Sequence, residues 1–546
     1  MRHSLIVALL IAGTTAPALA QAPQTTTLRL TADEAVSMAL DHNIDLSVDR
    51  LDPQISDARV AAANGAFRPT LGSTFNSNNQ LQPPSSFLIP TATRTDAMTE
   101  SVGVGQRLPR FGTQYSVSWN AVHTNSNSFL NSYNPLVTSG IGFTLSQPLV
   151  KDLFIDTPRQ QLAASRINRQ ISDTRLRESI VHTTADVKTA YWNLVAARDN
   201  VNNRRTALEL AQELVRVNRA KVEEGTAPPL DLVSAQAEVA ADQEQLIIAE
   251  TAVKQSEDRL RMLVLDMTNR DSWNVRLDPI DSPPTATPSI DLDAAVSRAL
   301  STRTDLMRAQ KDIENASLTA KLADNQKRPD VRLNAAYQTN GLGGTQVLRT
   351  GGFPGSIVGP GDNTGFGNIL GQLFSSDYPT WSVGVSVSYP LGDSVEQANA
   401  ARTKLEQQQA AQREKSQEAK AIQQIRDAAW KVEMNGKRIE TTRAARELAE
   451  QRLDAERKRL DVGMSTSFLV IQAQRDLAQM RTNELGAILA YDLALVDFDA
   501  LQQAGPSQGG TAAQSALSSQ GGGSAAAPAP APPSGAAVRA GIPGGQ

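Results

Sequence analysis

The 546-residue sequence predicts a mixed α and β fold, internally duplicated, whose strands join a transmembrane β-barrel shared between chains and whose helices wall a long cylinder. Three observations carry this prediction. The chain repeats its own plan; its helical segments far exceed those of ordinary globular domains; and its strands alternate apolar and small polar residues over lengths that match a bilayer. Composition agrees: with 4% aromatic residues and much Ala, Gln and Arg, the chain suits helices in thin layers better than a deep core. A net charge of -4, with acids and bases interspersed, argues against a nucleic-acid partner. The absence of cysteine excludes disulfides, thiolate metal sites and lipid attachment through an N-terminal Cys.

The first twenty residues, MRHSLIVALLIAGTTAPALA, combine a short basic start, an apolar run from Leu5 to Ala12 and the triplet Ala18-Leu19-Ala20. This is the form of a secretory signal (1–20) cleaved after Ala20, with an apolar run too short to span a bilayer. The duplication follows. TADEAVSMALDHNIDLSVDR, from Thr31, aligns with DLDAAVSRALSTRTDLMRAQ, from Asp291, so that Asp33, Ala35, Val36 and Leu40 fall on Asp293, Ala295, Val296 and Leu300, 260 residues on (293 − 33). The same offset joins Arg68-Pro69 to Arg328-Pro329. Farther along, Trp192 falls on Trp430 and Gly225 on Gly463, 238 residues on (430 − 192). A first repeat therefore occupies 21–266, a linker 267–289 and a second repeat 290–503. The remainder, 504–546, is rich in Gly, Ala, Ser, Pro and Gln and reads as a disordered tail.

Each repeat reads as helix, strands, long helix, tight turn, helix. Thr31 and Asp291 are the N-caps of the first helices, and Pro69 and Pro329 stop them. In the first repeat the helices run from Ala32 to Asn64, Pro158 to Glu224 and Leu230 to Leu265. In the second they run from Leu292 to Gln326, Ser394 to Val462 and Phe468 to Leu501. The half-length helices measure roughly 50 Å and the long ones roughly 100 Å. Two half-length helices stacked end to end therefore line one full-length helix. At the turns EEGTAPPLDLVSAQAEV and DVGMSTSFLVIQAQRDL, Gly225 and Gly463 are expected in left-handed conformations. Trp192 and Trp430 are assigned to helix packing.

TWSVGVSVSYPL, Thr380 to Leu391, turns Trp381, Val383, Val385, Val387 and Tyr389 one way and Ser382, Gly384, Ser386 and Ser388 the other. Trp381 and Tyr389 lie roughly 26 Å apart along a strand, the spacing of the aromatic girdles around a lipid-facing band. Gly140 to Leu149 repeats the pattern, and further strands begin at Thr70, Ser101, Thr113 and Asp330. A half-buried strand of a soluble sheet would alternate in the same way; the signal segment and the lack of another core favour lipid. The hairpin from Ser101 to Val122 is extra to the first repeat, and whether it crosses the membrane is open. Four strands and two are too few to close a barrel alone, so several chains pool theirs. Asn340 to Tyr378 reads as a glycine-rich loop facing the cell exterior. Within it, GFGNILG, Gly365 to Gly371, has Gly-x-Gly spacing but places its third glycine wrongly for a phosphate-binding loop, and no helix is expected to open after it. The histidines, His3, His42, His123 and His182, are scattered and no catalytic constellation forms, so the reading is a non-enzyme with no cofactor and no metal.

The duplicated plan, the prolines Pro69 and Pro329 before the strands, Pro148 and Pro390 after them, and the two turn sequences resemble the TolC family of outer-membrane efflux proteins. The likeness runs from Leu28 to Leu501. It implies a homotrimer whose jointly formed, twelve-stranded transmembrane β-barrel continues as a long periplasmic α-helical barrel, tapering to an aperture near the turns. It also implies a passive exit duct from the outer membrane of a Gram-negative cell, coupled through a periplasmic adaptor to an inner-membrane pump. The rival reading is an outer-membrane-anchored helical spacer without an open lumen. By the same resemblance Gly225, Pro228, Gly463 and Ser465 belong to the adaptor-facing turns, and Trp381 and Tyr389 to the girdle. The family's paired aspartates at the aperture fall on Leu469 and Gln472, and Ser465 replaces the arginine that restrains the acid matched by Asp231. The acidic ring is thus weakened, unless Asp476, one turn beyond Gln472, supplies it.

Overall fold

The computed structural model describes residues 27–506 except 85–91, 129–130, 283–289, 353–354, 390 and 393. The signal segment, Pro390 and the tail beyond Pro506 lie outside the described residues. The first repeat contains strand β1 (Thr27–Leu30), helices α1 (Ala32–His42), α2 (Ile44–Asp49) and α3 (Leu51–Gly65), and strands β2 (Thr70–Gln82), β3 (Thr93–Arg107), β4 (Gln114–Ser126) and β5 (Tyr133–Pro148). It closes with helices α4 (Thr157–Glu223) and α5 (Pro229–Val264). Strand β6 (Arg276–Pro279) precedes α6 (Leu292–Thr302), α7 (Thr304–Gln326), β7 (Asp330–Thr350), β8 (Ser356–Thr364), α8 (Phe366–Ser375), β9 (Tyr378–Ser388), α9 (Val395–Asp461) and α10 (Ser467–Leu501).

The long helices α4 and α9 hold 67 residues each, and α5 and α10 hold 36 and 35. Across the molecule the helices form a strip of columns. Toward the strands the order is α3, α4, α7, α9; toward the turns it is α5, α4, α10, α9. The columns are held by lateral stripes, such as Leu208, Ala211, Leu214 and Asn218 on α4, which are the three- and four-residue spacings of a helix face. Thr31 caps α1 in a capping box with Glu34, and Asp291 caps α6.

The first helix of each repeat is not continuous, contrary to the expectation from sequence. The chain leaves helical geometry at Asn43 (φ −66, ψ 123) and at Arg303 (φ −62, ψ 127), positions equivalent under the 260-residue offset. Here the half-length helices meet end to end, and the last carbonyls of α5 and α10 lack intrahelical donors. Asn43 Nδ2 donates to the Leu263 carbonyl at 3.2 Å, and Arg303 Nη1 to that of Leu501 at 3.3 Å. Within the linker, β6 pairs in parallel with β1, and Leu277 and Leu30 are buried in a core with Tyr191 and Leu194 of α4. Nor does the tail assignment hold at its start. Ala504 is fully buried, and its N–H donates to the Ala500 carbonyl at 2.9 Å.

The strands form one antiparallel sheet in the order β2-β3-β4-β5-β7, with β9 beside the first half of β7 and β8 beside its second half. The twelve strands implied by the resemblance require four per chain. This chain instead pairs six in series, the extra hairpin lying inside the sheet between β2 and β5. The expected exterior loop is likewise structured. β7 continues to Thr350, β8 returns beside it, and α8 does open after Gly365, against the expectation from the glycine spacing. Over α8, Gly341 and Gly343 are needed for close approach, because a Cβ on either would come within 2.8 Å of Ile369. Between the ends of β8 and β9, the Leu342 N–H finds its acceptor in Gln372 Oε1 at 2.9 Å. Among the described residues no helix is long and apolar enough to cross a membrane.

Candidate functional site

The two hairpin turns adopt the same backbone design. After α4, Gly225 N donates to the Val222 carbonyl and Thr226 N to that of Lys221; after α9, Gly463 N donates to Leu460 and Met464 N to Arg459. These bonds form a Schellman-type helix end, which needs a left-handed residue. Gly225 (φ 72) and Gly463 (φ 76) supply it, and no atom lies within 4 Å of where a Cβ would stand. Conformation, not crowding, selects glycine there. Pro228 ends the first turn in extended geometry as the N-cap of α5.

The turns are tied together by buried polar groups that sequence reading missed. Asn218 of α4 is fully buried. It donates to the Asp231 carbonyl at 3.2 Å and accepts from the Ser467 hydroxyl at 3.0 Å, so one amide joins the starts of both short helices. Lys221 Nζ donates to the Leu460 carbonyl at 3.2 Å, capping the end of α9 from α4. Farther from the tips, Gln474 Nε2 donates to the Leu210 carbonyl at 3.1 Å. Beside it, Arg475 of α10 reaches Glu238 of α5 with Nε 3.0 and 2.9 Å from the two carboxylate oxygens. Glu238 is buried, whereas the Arg475 side chain is 60% exposed. Burial pushes the neighbouring Asp242 carboxyl up, reinforced by the Glu238 charge and opposed by Arg204 and Arg475.

The residues placed at the aperture by resemblance do not form one cluster. Leu469 is 42% exposed near the second turn. Gln472 Nε2 donates to Asp476 Oδ1 at 3.0 Å, and the other oxygen of Asp476 lies 2.9 Å from Arg452 Nη1 on α9. The Asp476 charge is therefore matched within the chain. Ser465 donates its hydroxyl to Glu456 at 2.7 Å, and that bond, with Arg459 nearby, holds the Glu456 carboxyl below its usual range. Asp231 makes no ion pair among the described residues. Nor does any group of three or more His, Cys, Asp or Glu stand where it could hold a metal.

At the other end, Trp381 is 72% exposed in β9 and Tyr389, just past its last residue, is 50% exposed. Trp381 continues a lateral row through Tyr337, Phe143, Val117, Val104 and Leu71 on the successive strands. The opposite face is hydroxyl- and amide-lined: Ser116 meets Thr144 at 2.7 Å, Ser146 donates to Asn334 at 2.9 Å, and Asn334 to Ser386 at 3.2 Å. Trp192 packs edge-on to Tyr191 as expected of a packing residue, but Trp430 is 54% exposed with the Arg426 guanidinium over its ring.

A sheet apolar on one face and polar on the other, continued by a thin wall of paired helices, is the subunit plan of an outer-membrane channel. The sequence profile of the outer membrane efflux protein family matches residues 90–264 and 295–502, and the chain belongs to that family. Solved structures share the fold. A membrane protein from Pseudomonas aeruginosa superposes with a TM-score of 0.63 at 15% identity, covering 92% of this chain and 97% of its own. The CmeC outer membrane channel of Campylobacter jejuni gives 0.59 at 15%, covering 94% and 98%. The MtrE outer membrane channel of Neisseria gonorrhoeae, in an open state, gives 0.58 at 18%, covering 87% and 89%. At such identities the likeness is one of fold. No curated protein sequence matches the chain.

Proposed function

We propose that the protein is the passive exit duct of a tripartite efflux or type I secretion system, assembled as a homotrimer in the outer membrane and coupled through a periplasmic adaptor to an inner-membrane pump. One observation carries this reading: the strip of helices and the sheet are open along both long edges. The edge strands β2 and β9 are exposed along their whole lengths. The edge column carries Ile44, Val48, Leu51 and Ile55, all exposed and spaced as one helical stripe. A strip with two unsatisfied edges is completed by copies of itself, and three-fold closure turns the polar sheet face and one helix face into a water-filled bore. The tips then offer Gly225, Pro228, Gly463 and Ser465 to the adaptor, flanked by exposed Leu230, Val233, Val462, Met464 and Phe468. These apolar residues at a helical mouth suit a helix-in-groove partner.

Planar-bilayer recordings of purified protein test the duct. Stepwise ion conductance supports it, whereas inserted but silent protein favours the closed spacer.

A further inference from the structure

The extra hairpin determines the bore. We propose that the assembled barrel is closed by eighteen strands, six from each of three chains, and so is wider than the twelve strands its resemblance implies. The trimer itself rests on the reading above; the six strands per chain do not.

Register supports this. β3 pairs with β2 from Thr70↔Gly105 to Gln82↔Thr93 and with β4 from Arg107↔Gln114 to Thr95↔Ser126, and β4 continues to β5. β2 and β5 are not neighbours, so no four-stranded path bypasses the hairpin. Two adjacent rows near the helical end run unbroken across it. In one row Leu71, Val104, Val117, Phe143, Tyr337 and Trp381 stand side by side; in the next stand Gly72, Gly103, Ser118, Gly142, Gln338 and Thr380. That is the alternation of a lipid face and a lumen face. β3 and β4 are therefore staves, not a flap folded over the wall.

The turn between β3 and β4 is docked on the segment that leads from β5 into α4. Leu108 N donates to the Thr113 carbonyl at 2.8 Å, with Phe111 (φ 59) and Gly112 (φ 65) left-handed. Gln147 Nε2 donates to the Phe111 carbonyl at 3.1 Å, and a Cβ on Gly112 would come within 2.8 Å of the Asp152 carbonyl. The hairpin thus ends at the head of α4, at the level where the other strands join their helices.

Circumference matches as well. Four helix columns per chain at 8–10 Å spacing occupy roughly 32–40 Å of arc. Strands about 4.8 Å apart and tilted by about 40° take roughly 6 Å each, so six occupy roughly 37 Å and four only about 25 Å. Six strands continue the helical wall without necking. Eighteen close a ring roughly 35 Å across the backbone, against about 24 Å for twelve. The barrel is then no constriction, and control of passage falls wholly to the helical mouth.

The cysteine-free chain allows a direct test on the full-length protein. Val117→Cys and Ser118→Cys in β4 are compared with Val383→Cys and Ser382→Cys in β9, using a membrane-impermeant maleimide in vesicles. Labelling of the Ser118 and Ser382 variants should exceed that of their valine neighbours by about tenfold. Equal labelling of the β4 pair, with alternation kept in β9, overturns the placement of the hairpin in the wall. A density map of the unmodified assembly should show eighteen strands, and twelve would overturn the proposal. A native mass other than three chains would overturn the trimer reading, and eighteen with it, while the β4 labelling still reports separately on six strands per chain.

Discussion

Glu238 on α5 and Arg475 on α10 form a fork in which Nε of the arginine lies 3.0 and 2.9 Å from the two oxygens of the carboxylate. The pair clamps the two short helices to each other a few turns above the tips. Outward movement of α10 must break this fork, so it opposes opening. Glu238→Gln is expected to raise the open probability in bilayer recordings, and Arg475→Ala to do the same. Unchanged gating in both variants would remove the fork from the gate.

The family's aperture aspartates fall on the neutral Leu469 and Gln472, and Asp476, the acid that could stand in for them, lies 2.9 Å from Arg452. Carboxylates crowded about a pore axis bind multivalent cations, whereas a carboxylate matched by a guanidinium does not. Trivalent cations added on the periplasmic side should block the pore weakly. Arg452→Ala should strengthen that block by freeing Asp476, and the further change Asp476→Asn should abolish the gain. Tight block of the unmodified protein would show that an acidic ring stands elsewhere at the mouth.

Gly225 and Gly463 stand in open space with φ near +70, so a side chain costs backbone strain and nothing else. The left-handed conformation costs an ordinary residue roughly 1–2 kcal/mol, less for Asn and more for a β-branched residue. Gly225→Val and Gly463→Val should therefore impair adaptor binding while membrane insertion persists, and Gly→Asn at either site should be mild. Pull-down with the adaptor alongside heat-modifiable gel mobility checks both parts.

Arg303 is almost fully buried and bridges Asp305 at 2.8 Å while capping the Leu501 carbonyl. Burial alone would push the Asp305 carboxyl up, but the guanidinium outweighs it and holds the carboxyl below its usual range. Arg303→Met leaves that half-buried acid without its guanidinium, a loss below the roughly 3–5 kcal/mol of a fully buried pair. The double variant with Asp305→Asn should recover part of it. Thermal unfolding of the two variants distinguishes this from a general packing defect, for which the second change would give no recovery.

Asp492 on α10 is buried, and burial pushes its carboxyl from 3.8 up to about 7. The native chain therefore keeps a proton that the unfolded chain releases. Stability from this group is complete below about pH 4 and is lost as the pH rises to about 7. Unfolding temperature should fall over that interval, and Asp492→Asn should flatten the fall and stabilise the protein at neutral pH. An unaltered pH profile in the variant would show that other acids dominate.

The sequence by itself determined what is periodic or repeated. An offset of 260 residues at Asp33 and Arg68, and of 238 at Trp192 and Gly225, marked two copies of one plan, and helix length plus strand alternation assigned each copy to a helical wall and a lipid-facing sheet. Those signals are local, because a helix face or a strand face is written every three or four residues, or every two. Only the tertiary structure decided what depends on partners distant in the chain. Asn43 and Arg303 look like ordinary helix residues until α5 and α10 arrive end-on and present carbonyls without donors. Leu277 and Leu30 make a sheet of two short strands across the whole first repeat. Glu238 and Arg475 lie 237 residues apart and meet only because the two hairpins lie side by side. The hairpin of β3 and β4 could be read as strands from its alternation, but its place between β2 and β5 depended on hydrogen bonds to both. Backbone donors must pair wherever water is absent, and which strand supplies the acceptor is a property of the folded wall.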